Sequence, residues 1–361
     1  MGFLDKILGK KETLVSVDIG NSCVKLLEFD LSAEHPKLIN VKSAQLQREV
    51  FENYLVTDVE HAADVIAALV EESGLSGRRI VTSMPGPSVF TKKVKMAKAP
   101  ISELAQNIQF EAASFIPHSI DAVKLDFHVL GQDEKGQLDV LVVAVKNEII
   151  DSFLDTLSMA GLETAIVDVD YFAFQNMFEL SYPEYVMETV ALIDVGHRYS
   201  SVNICSEGKS LFTGDISVGT KDFIEPLKNE LEISMAEAQD ILVGKVENYP
   251  RAGEALEIID RALEQVVGEL NRQLSFFWNA SGAEEGIDRI MVGGGGSAIP
   301  RLIEELSEKT GVEAERINSF RSIDVGDVLT AESISDLAPI MGVAVGLGIR
   351  QPGDKEISEL D

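Results

Sequence analysis

The stretch VSVDIGNSCVKLLEF, Val15 to Phe29, decides how the rest of the chain is read. Val15 and Val17 alternate with Ser16, Ile19 gives way to Gly20-Asn21-Ser22, and Val24, Leu26, Leu27 and Phe29 resume an apolar pattern. Period-two alternation on both sides of a Gly-Asn turn predicts a β-hairpin. A second stretch, VALIDVGHRYSSVNI from Val190 to Ile204, follows the same plan, with Asp194-Val195-Gly196-His197-Arg198 at its turn. A single Asp-x-Gly string is a common turn and carries little. Two near-equal hairpins in separate halves carry more, because a duplicated fold would offer one jaw from each half to a shared ligand.

The residues at the two turns suit phosphate. Glycine lets the backbone approach a ligand, and turn N–H groups aimed one way form a concave anion site. An Asp just before such a turn, Asp18 or Asp194, is placed to hold Mg²⁺ through water, since that ion prefers oxygen and keeps most of its hydration. Lys25 meets a phosphate as a point charge, or it is a solvated lysine on a strand; the sequence leaves both open.

Composition sets the bounds. A chain of 361 residues, 45% hydrophobic and 25% charged, predicts at least two compact units with their own cores. The 31 Lys and Arg against 60 Asp and Glu give a formal charge of -29, which repels nucleic acid and anionic lipid. No apolar run approaches the roughly 18–20 residues that span a bilayer, and the first residues show no signal-peptide core, so a soluble cytoplasmic protein is expected. Cys23 and Cys205 fall inside apolar strand patterns and read as reduced core residues.

A third element tests the phosphate reading. IDRIMVGGGGSAIPRLIEEL, Ile287 to Leu306, predicts a strand at Ile290 to Val292, a glycine turn at Gly293-Gly294-Gly295-Gly296-Ser297, and a helix begun near Pro300. Strand, glycine turn and helix N-terminus together favour close approach of a nucleotide. The spacing matches neither the dinucleotide pattern nor the Walker pattern.

Two Asp-x-Gly hairpins, the turn at Gly293 to Ser297, and a closing glycine-rich helix at Ala338 to Ile349 (APIMGVAVGLGI) resemble the actin-like ATPase superfamily, which includes actin, the heat-shock chaperone ATPases and FtsA. Within it, VDIGNSCVKLLEF, SMPGPSVF with QFEAASFIPHSIDAV, VAVKNEIIDSFLDTLSMAGLETAIVDVDYFAFQNMFE and GTKDFIEPLKNELEISMAEAQDIL resemble the PilM family of type IV pilus assembly. The resemblance implies an α/β fold of two duplicated RNase H-like domains around a nucleotide cleft. It also implies an FtsA-like 1C subdomain inserted in the first domain.

In that frame residues 12–87, 164–185 and 336–361 form the first domain and 88–163 the insert. Residues 186–222 and 286–335 form the second domain, and 223–285 its capping subdomain. The expected elements include a helix at Val65 to Glu72 and a strand at Arg79 to Ser83 before Pro85-Gly86-Pro87. The insert follows, with a helix from Ile101 to Phe115 capped by Ser102, strands at Ala122 to Leu130 and Leu138 to Lys146, and a helix at Asn147 to Ala160.

The resemblance also implies roles. Asp18 and Asp194 orient hydrated Mg²⁺ near the terminal phosphate of ATP. Gly20, Asn21, Ser22 and Gly196, His197, Arg198 wrap the phosphates, with Lys25 facing them. Asp170 or, alternatively, Asp168 positions or deprotonates the attacking water; a plain strand-end carboxylate is the other reading of either. Gly219 forms the turn to the capping helix. Gln239 and Gly293 to Ser297 flank the nucleoside. Thr220, Gln239 and Leu242 depart from the residues that FtsA-like proteins carry there, which implies looser binding or slow hydrolysis, so turnover and mere holding of ATP both stay open.

PilM-like proteins bind the cytoplasmic N-terminal tail of PilN in a groove between the first domain and the insert, so the resemblance implies a cytoplasmic adaptor at the inner face of the inner membrane. Such an adaptor joins the PilN–PilO–PilP complex to the pilus motor ATPases PilB and PilT. The locally basic Val89 to Met96 borders that groove or is a solvated strand. Two other functions stay open: a polymerising FtsA-like ATPase, which wants a C-terminal amphipathic anchor that the polar QPGDKEISELD does not supply, and a small-molecule kinase, for which the short insert leaves little room. The amphipathic MGFLDKILGKK at the start packs on the domain, touches a partner, or frays.

Overall fold

The computed structural model describes residues 13–354 except 134, 245, 247, 248 and 282–285. The amphipathic start and the last residues of the acidic tail lie outside the described residues. In chain order the strands are β1 Val15–Ile19, β2 Cys23–Asp30, β3 Lys37–Gln45, β4 Phe51–Glu52, β5 Leu55–Val56, β6 Arg79–Met84, β7 Val89–Ala97 and β8 Val123–Gln132. They continue with β9 Gln137–Lys146, β10 Glu163–Val169, β11 Val190–Val195, β12 Ser200–Ser206, β13 Lys209–Ile216, β14 Arg289–Gly293 and β15 Ala314–Arg316.

Two five-stranded sheets repeat one plan. The first has the order β10-β6-β1-β2-β3 and the second β15-β14-β11-β12-β13. In each, an antiparallel meander (β1-β2-β3, β11-β12-β13) is extended by two parallel strands. All five residues of β1 are buried, as expected of a central strand covered on both faces.

A shared core joins the sheets. Helices Asp170–Ser181 and Gly342–Gly348 lie with Leu27, Phe29 and Val81 of the first sheet and Val190, Leu192 and Met291 of the second in one apolar cluster. The two helices approach closely: a Cβ on Gly346 would stand 1.6 Å from the Ala173 carbonyl oxygen. That contact is why the closing helix is glycine-rich. Ile317, Phe320 and Ile323 return to this core well before residue 336, and Lys37 and Asp324 pair as a bridge.

The outer faces are covered separately. Helices Val59–Glu72 and Asn147–Met159 pack on the first sheet. Helices Lys221–Leu231, Met235–Leu242, Ala252–Ser281 and Leu302–Thr310 pack on the second. The insert is a three-stranded sheet, β7-β9-β8, covered by helix Ile101–Ala112 through Leu104 and Ile108. Helix Asn147–Met159, expected with the insert, turns Ile149, Ile150, Phe153 and Leu157 into the first sheet's core instead.

Three local expectations change. Helix Val59–Glu72 starts six residues before Val65, where the Asp58 carboxylate accepts the His61 N–H. Ser102 caps nothing: the Pro100 carbonyl accepts the first helical bonds, so Pro100 is the N-cap and Ser102 lies two residues inside. Beyond β14 the chain makes a tight turn at Gly295–Ala298, and the helix begins at Leu302 rather than Pro300. Arg301 adopts φ 68° there, with its guanidinium on Asp260 at 2.6 Å and Glu305 at 2.5 Å, while Leu302 is fully buried.

Candidate functional site

The two hairpins meet at the ends of their central strands. In the first, Asp18 stands opposite Lys25 in register and the Gly20 N–H donates to the Cys23 carbonyl at 3.0 Å. In the second, Asp194 stands opposite Ser201 and the Gly196 N–H donates to the Tyr199 carbonyl at 3.1 Å. Sequence spacing thus becomes one turn geometry used twice.

The chemistry of the two copies differs. Lys25 Nζ donates to Asp18 Oδ2 at 2.8 Å, and both side chains are largely buried. Burial opposes a charged amine, yet the combined pull of Asp18, Cys23 and Asp194 outweighs it and holds the Lys25 pKa above its ordinary value. Asp194 is pushed up to about 6 by burial, aided by Asp18 and opposed by Lys25. Asp170, first residue of helix Asp170–Ser181, accepts from Ser83 Oγ at 2.6 Å and Tyr199 Oη at 3.3 Å. Burial, then the nearby Asp18, raises its carboxyl to about 8. One cation among three carboxylates leaves a site that an added cation stabilises. Asp168 is not part of this cluster, because its carboxylate accepts from Arg350 and from the Val169 N–H at 2.7 Å.

Glycine 294 shapes the cleft. It has φ 79°, and a Cβ on it would lie 2.3 Å from Asp194 Oδ1 and 2.4 Å from the Val195 carbonyl oxygen. A Cβ on Gly296 would strike Val195 Cγ1 at 2.1 Å, and one on Gly293 would strike Phe174 at 2.7 Å. Ser297 is fully buried and its hydroxyl closes the turn on the Gly294 carbonyl at 2.7 Å. Gly219 backs the second hairpin: a Cβ there would stand 2.6 Å from the carbonyl oxygens of Gly196 and His197. The Thr220 and Lys221 N–H groups bond those same carbonyls at 3.0 and 2.9 Å. Thr220 Oγ1 also meets His197 Nδ1 at 2.9 Å, so the departure from glycine has a local use. Burial and the charge of Lys221 keep His197 below its ordinary pKa. Asn21 and Ser22 sit at the first turn, half-buried. Leu242 is core, and Gln239 is exposed on helix Met235–Leu242.

Several groups escaped the sequence reading. Ser83 and Tyr199 hold Asp170, and Tyr171 Oη donates to Asp215. Ser83 is the next-to-last residue of β6, just before Pro85, and Tyr199 follows the second turn directly, so position was the available signal. A cavity of about 390 Å³ lies between the first half and the insert. Asn53, Tyr54, Pro87 and Ser88 wall one side, and Phe90, Ile116, His118 and Lys146 are among the residues of the insert side. Of the basic strand β7, Val89 and Phe90 line this cavity, whereas Lys92 covers the Phe115 ring at 4.4 Å and Lys93 donates to the Leu211 carbonyl at 2.9 Å.

Among the described residues no three His, Cys, Asp or Glu groups converge to ligate a metal directly, and no helix is long and apolar enough to cross a membrane. Two like sheets around a shared core, each presenting an Asp-x-Gly hairpin to one cleft, define the actin-like ATPase fold. The chain matches the family of type IV pilus assembly protein PilM over residues 16–352, and it belongs to that family. It is similar to the solved "PilM-PilN type IV pilus biogenesis complex" at 25% identity and a TM-score of 0.83, covering 95% of this chain and 99% of that one. Ethanolamine utilization protein EutJ from Carboxydothermus hydrogenoformans shares the fold at 14% identity and a TM-score of 0.56, with 93% and 89% covered.

Proposed function

We propose that this chain holds Mg·ATP between its hairpins and captures the N-terminal tail of PilN in the cavity beside the insert. It thereby acts as a cytoplasmic adaptor between the PilN–PilO–PilP complex of the inner membrane and the motor ATPases PilB and PilT. The observation that carries the reading is the 390 Å³ cavity with an apolar lining and two basic side chains, His118 and Lys146, between the first half and the insert. Such a cleft suits an extended peptide that adds an apolar side chain and main-chain acceptors. A PilM-like structure of 25% identity is of a complex with PilN.

For the nucleotide, the carboxylates of buried Asp18 and half-buried Asp194 and the side-chain-free cradle at Gly294 are the fitting features. Asp18 and Asp194 would hold Mg²⁺ through its water. The backbone of Gly20, Asn21, Ser22 and of Gly196, His197, Arg198 would surround the phosphates, with Lys25 beside Asp18. Gly219, Gln239 and the Gly293–Ser297 turn would flank the nucleoside. When bound, the ion supplies charge neutralisation for the phosphates. Asp170 would position a water; in the empty site burial, then the nearby Asp18, raises its carboxyl to about 8, so it holds a proton near neutral pH until a cation arrives.

Calorimetric titration with a synthetic peptide of the cognate PilN tail tests the adaptor role. Micromolar or tighter binding, weakened tenfold or more by Ala144→Leu, which fills the cavity, is the expected result. An unaffected affinity in that variant would move the peptide elsewhere and end the groove assignment.

A further inference from the structure

Both oxygens of Asp170 are engaged before any ligand arrives. Ser83 Oγ donates to Oδ1 at 2.6 Å and Tyr199 Oη donates to Oδ2 at 3.3 Å. The two donors differ in origin. Ser83 lies on β6, in the same half as Asp170, whereas Tyr199 follows the second turn and reaches in from the other half. The Tyr199 ring is set edge-on to Tyr54 with centroids 6.2 Å apart, which aims its hydroxyl. Burial, then the charges of Asp170, Asp194, Asp18 and Asp215, raise the Tyr199 pKa well above its ordinary value, so the phenol keeps its proton and remains a donor. The neighbouring phenol does not compete for Asp170, because Tyr171 Oη donates to Asp215 instead.

A carboxylate that is to take a proton from water is weakened by every donor that stabilises its charge. Such donors bond an ionised carboxyl more strongly than a neutral one, so the hold of Tyr199 tightens once Asp170 gives up its proton. A water that displaced Tyr199 from Oδ2 would strand a buried hydroxyl without an acceptor. Ser83 has a different part: bonded at shorter range from within the same half, it orients the carboxyl. We propose that Tyr199 is a positioning residue that brakes hydrolysis, its hydroxyl occupying Asp170 Oδ2 and keeping that carboxylate from the attacking water. The chain then holds its nucleotide rather than turning it over. This brake rests on the proposed nucleotide reading and adds a cause for slow turnover.

The test compares the wild type, Tyr199→Phe, Asp170→Ala and the double variant, each as the full chain. Phosphate release under saturating Mg·ATP should rise about fivefold or more in Tyr199→Phe, while the calorimetric Kd for Mg·ATP stays within about threefold, because only a hydroxyl is removed. Neither Asp170→Ala nor the double variant should exceed the wild-type rate, since the gain needs the freed carboxylate. Ligand-free thermal melts give a second readout: Tyr199→Phe should lower the melting temperature of the wild type and not that of Asp170→Ala. A smaller rise or a fall in rate at intact affinity, a gain that persists without Asp170, or additive melting shifts would overturn the brake and leave the nucleotide site standing. Failure of Mg·ATP to bind the wild type would bring down the nucleotide reading, and the brake with it.

Discussion

The first hairpin and the second are the same piece of backbone with different electrostatics. Asp18 faces Lys25 and Asp194 faces Ser201 at the same register, while the turn bonds of Gly20 and Gly196 match to within 0.1 Å (3.0 and 3.1 Å). One copy carries its own counter-ion and the other does not, so Asp18 is paired at 2.8 Å and Asp194 is driven up to about 6. Duplication fixed the geometry; one cross-strand residue in each copy set the charge. With one lysine among three carboxylates, the proposed site would take phosphate together with a divalent cation in preference to bare phosphate.

That comparison breaks most severely at Lys25. Removing one member of a buried pair strands the other, so Lys25→Met should cost about 3–5 kcal/mol in urea unfolding, and adding Asp18→Asn should restore most of it. If the single variant loses nothing, the pair is a surface contact in effect. Gly294→Ala attacks the other copy, placing a methyl group 2.3 Å from Asp194 Oδ1 at a left-handed position. Overpacking and the positive φ together should cost about 2–4 kcal/mol by the same assay and abolish Mg·ATP binding.

Asp194→Asn sharpens the contrast through pH. The folded value near 6 exceeds the ordinary 3.8, so across that window the folded chain keeps a proton that the unfolded chain has released. The share of this carboxyl in the stability of the ligand-free wild type therefore falls as pH rises from about 4 to about 6 and is level above, while Asp170, raised to about 8, extends the overall fall to higher pH. Asp194→Asn should lack that share of the fall and by pH 7 gain about 3 kcal/mol, followed by thermal melting in chelator. A parallel pH profile for both proteins would contradict the shift. The smallest effect is expected at the second turn's support: Thr220→Ala loses the contact to His197 Nδ1 at 2.9 Å, about 1 kcal/mol.

The hairpins were legible because period-two strands and Asp-x-Gly turns are local patterns, and each jaw is built from fifteen consecutive residues. The closing helix was legible for a related reason, since Gly342, Gly346 and Gly348 are required by close packing against Phe174, Ala173 and Phe29. Boundaries were less so. Ser102 offered a capping residue, but the Pro100 carbonyl accepts first, and Arg301 takes a left-handed turn that propensity disfavours because Leu302 is drawn into the core. Residues whose partners are distant in sequence were the least visible. Ser83 reaches Asp170 across 87 positions, Arg198 reaches Phe51 across 147, and Asp168 is claimed by Arg350 across 182. Only the last of these separates Asp168 from Asp170, which the strand-end pattern VDVD could not do.

Joint use of the two hairpins by one nucleotide is tested most directly by calorimetric titration of Mg·ATP into the wild type, Asp18→Asn and Asp194→Asn. Both variants, folded by circular dichroism, should lose binding by at least about 100-fold, because each removes one of the two carboxylates that would hold the hydrated ion. Retained wild-type affinity in either variant would mean that the nucleotide does not sit between the hairpins.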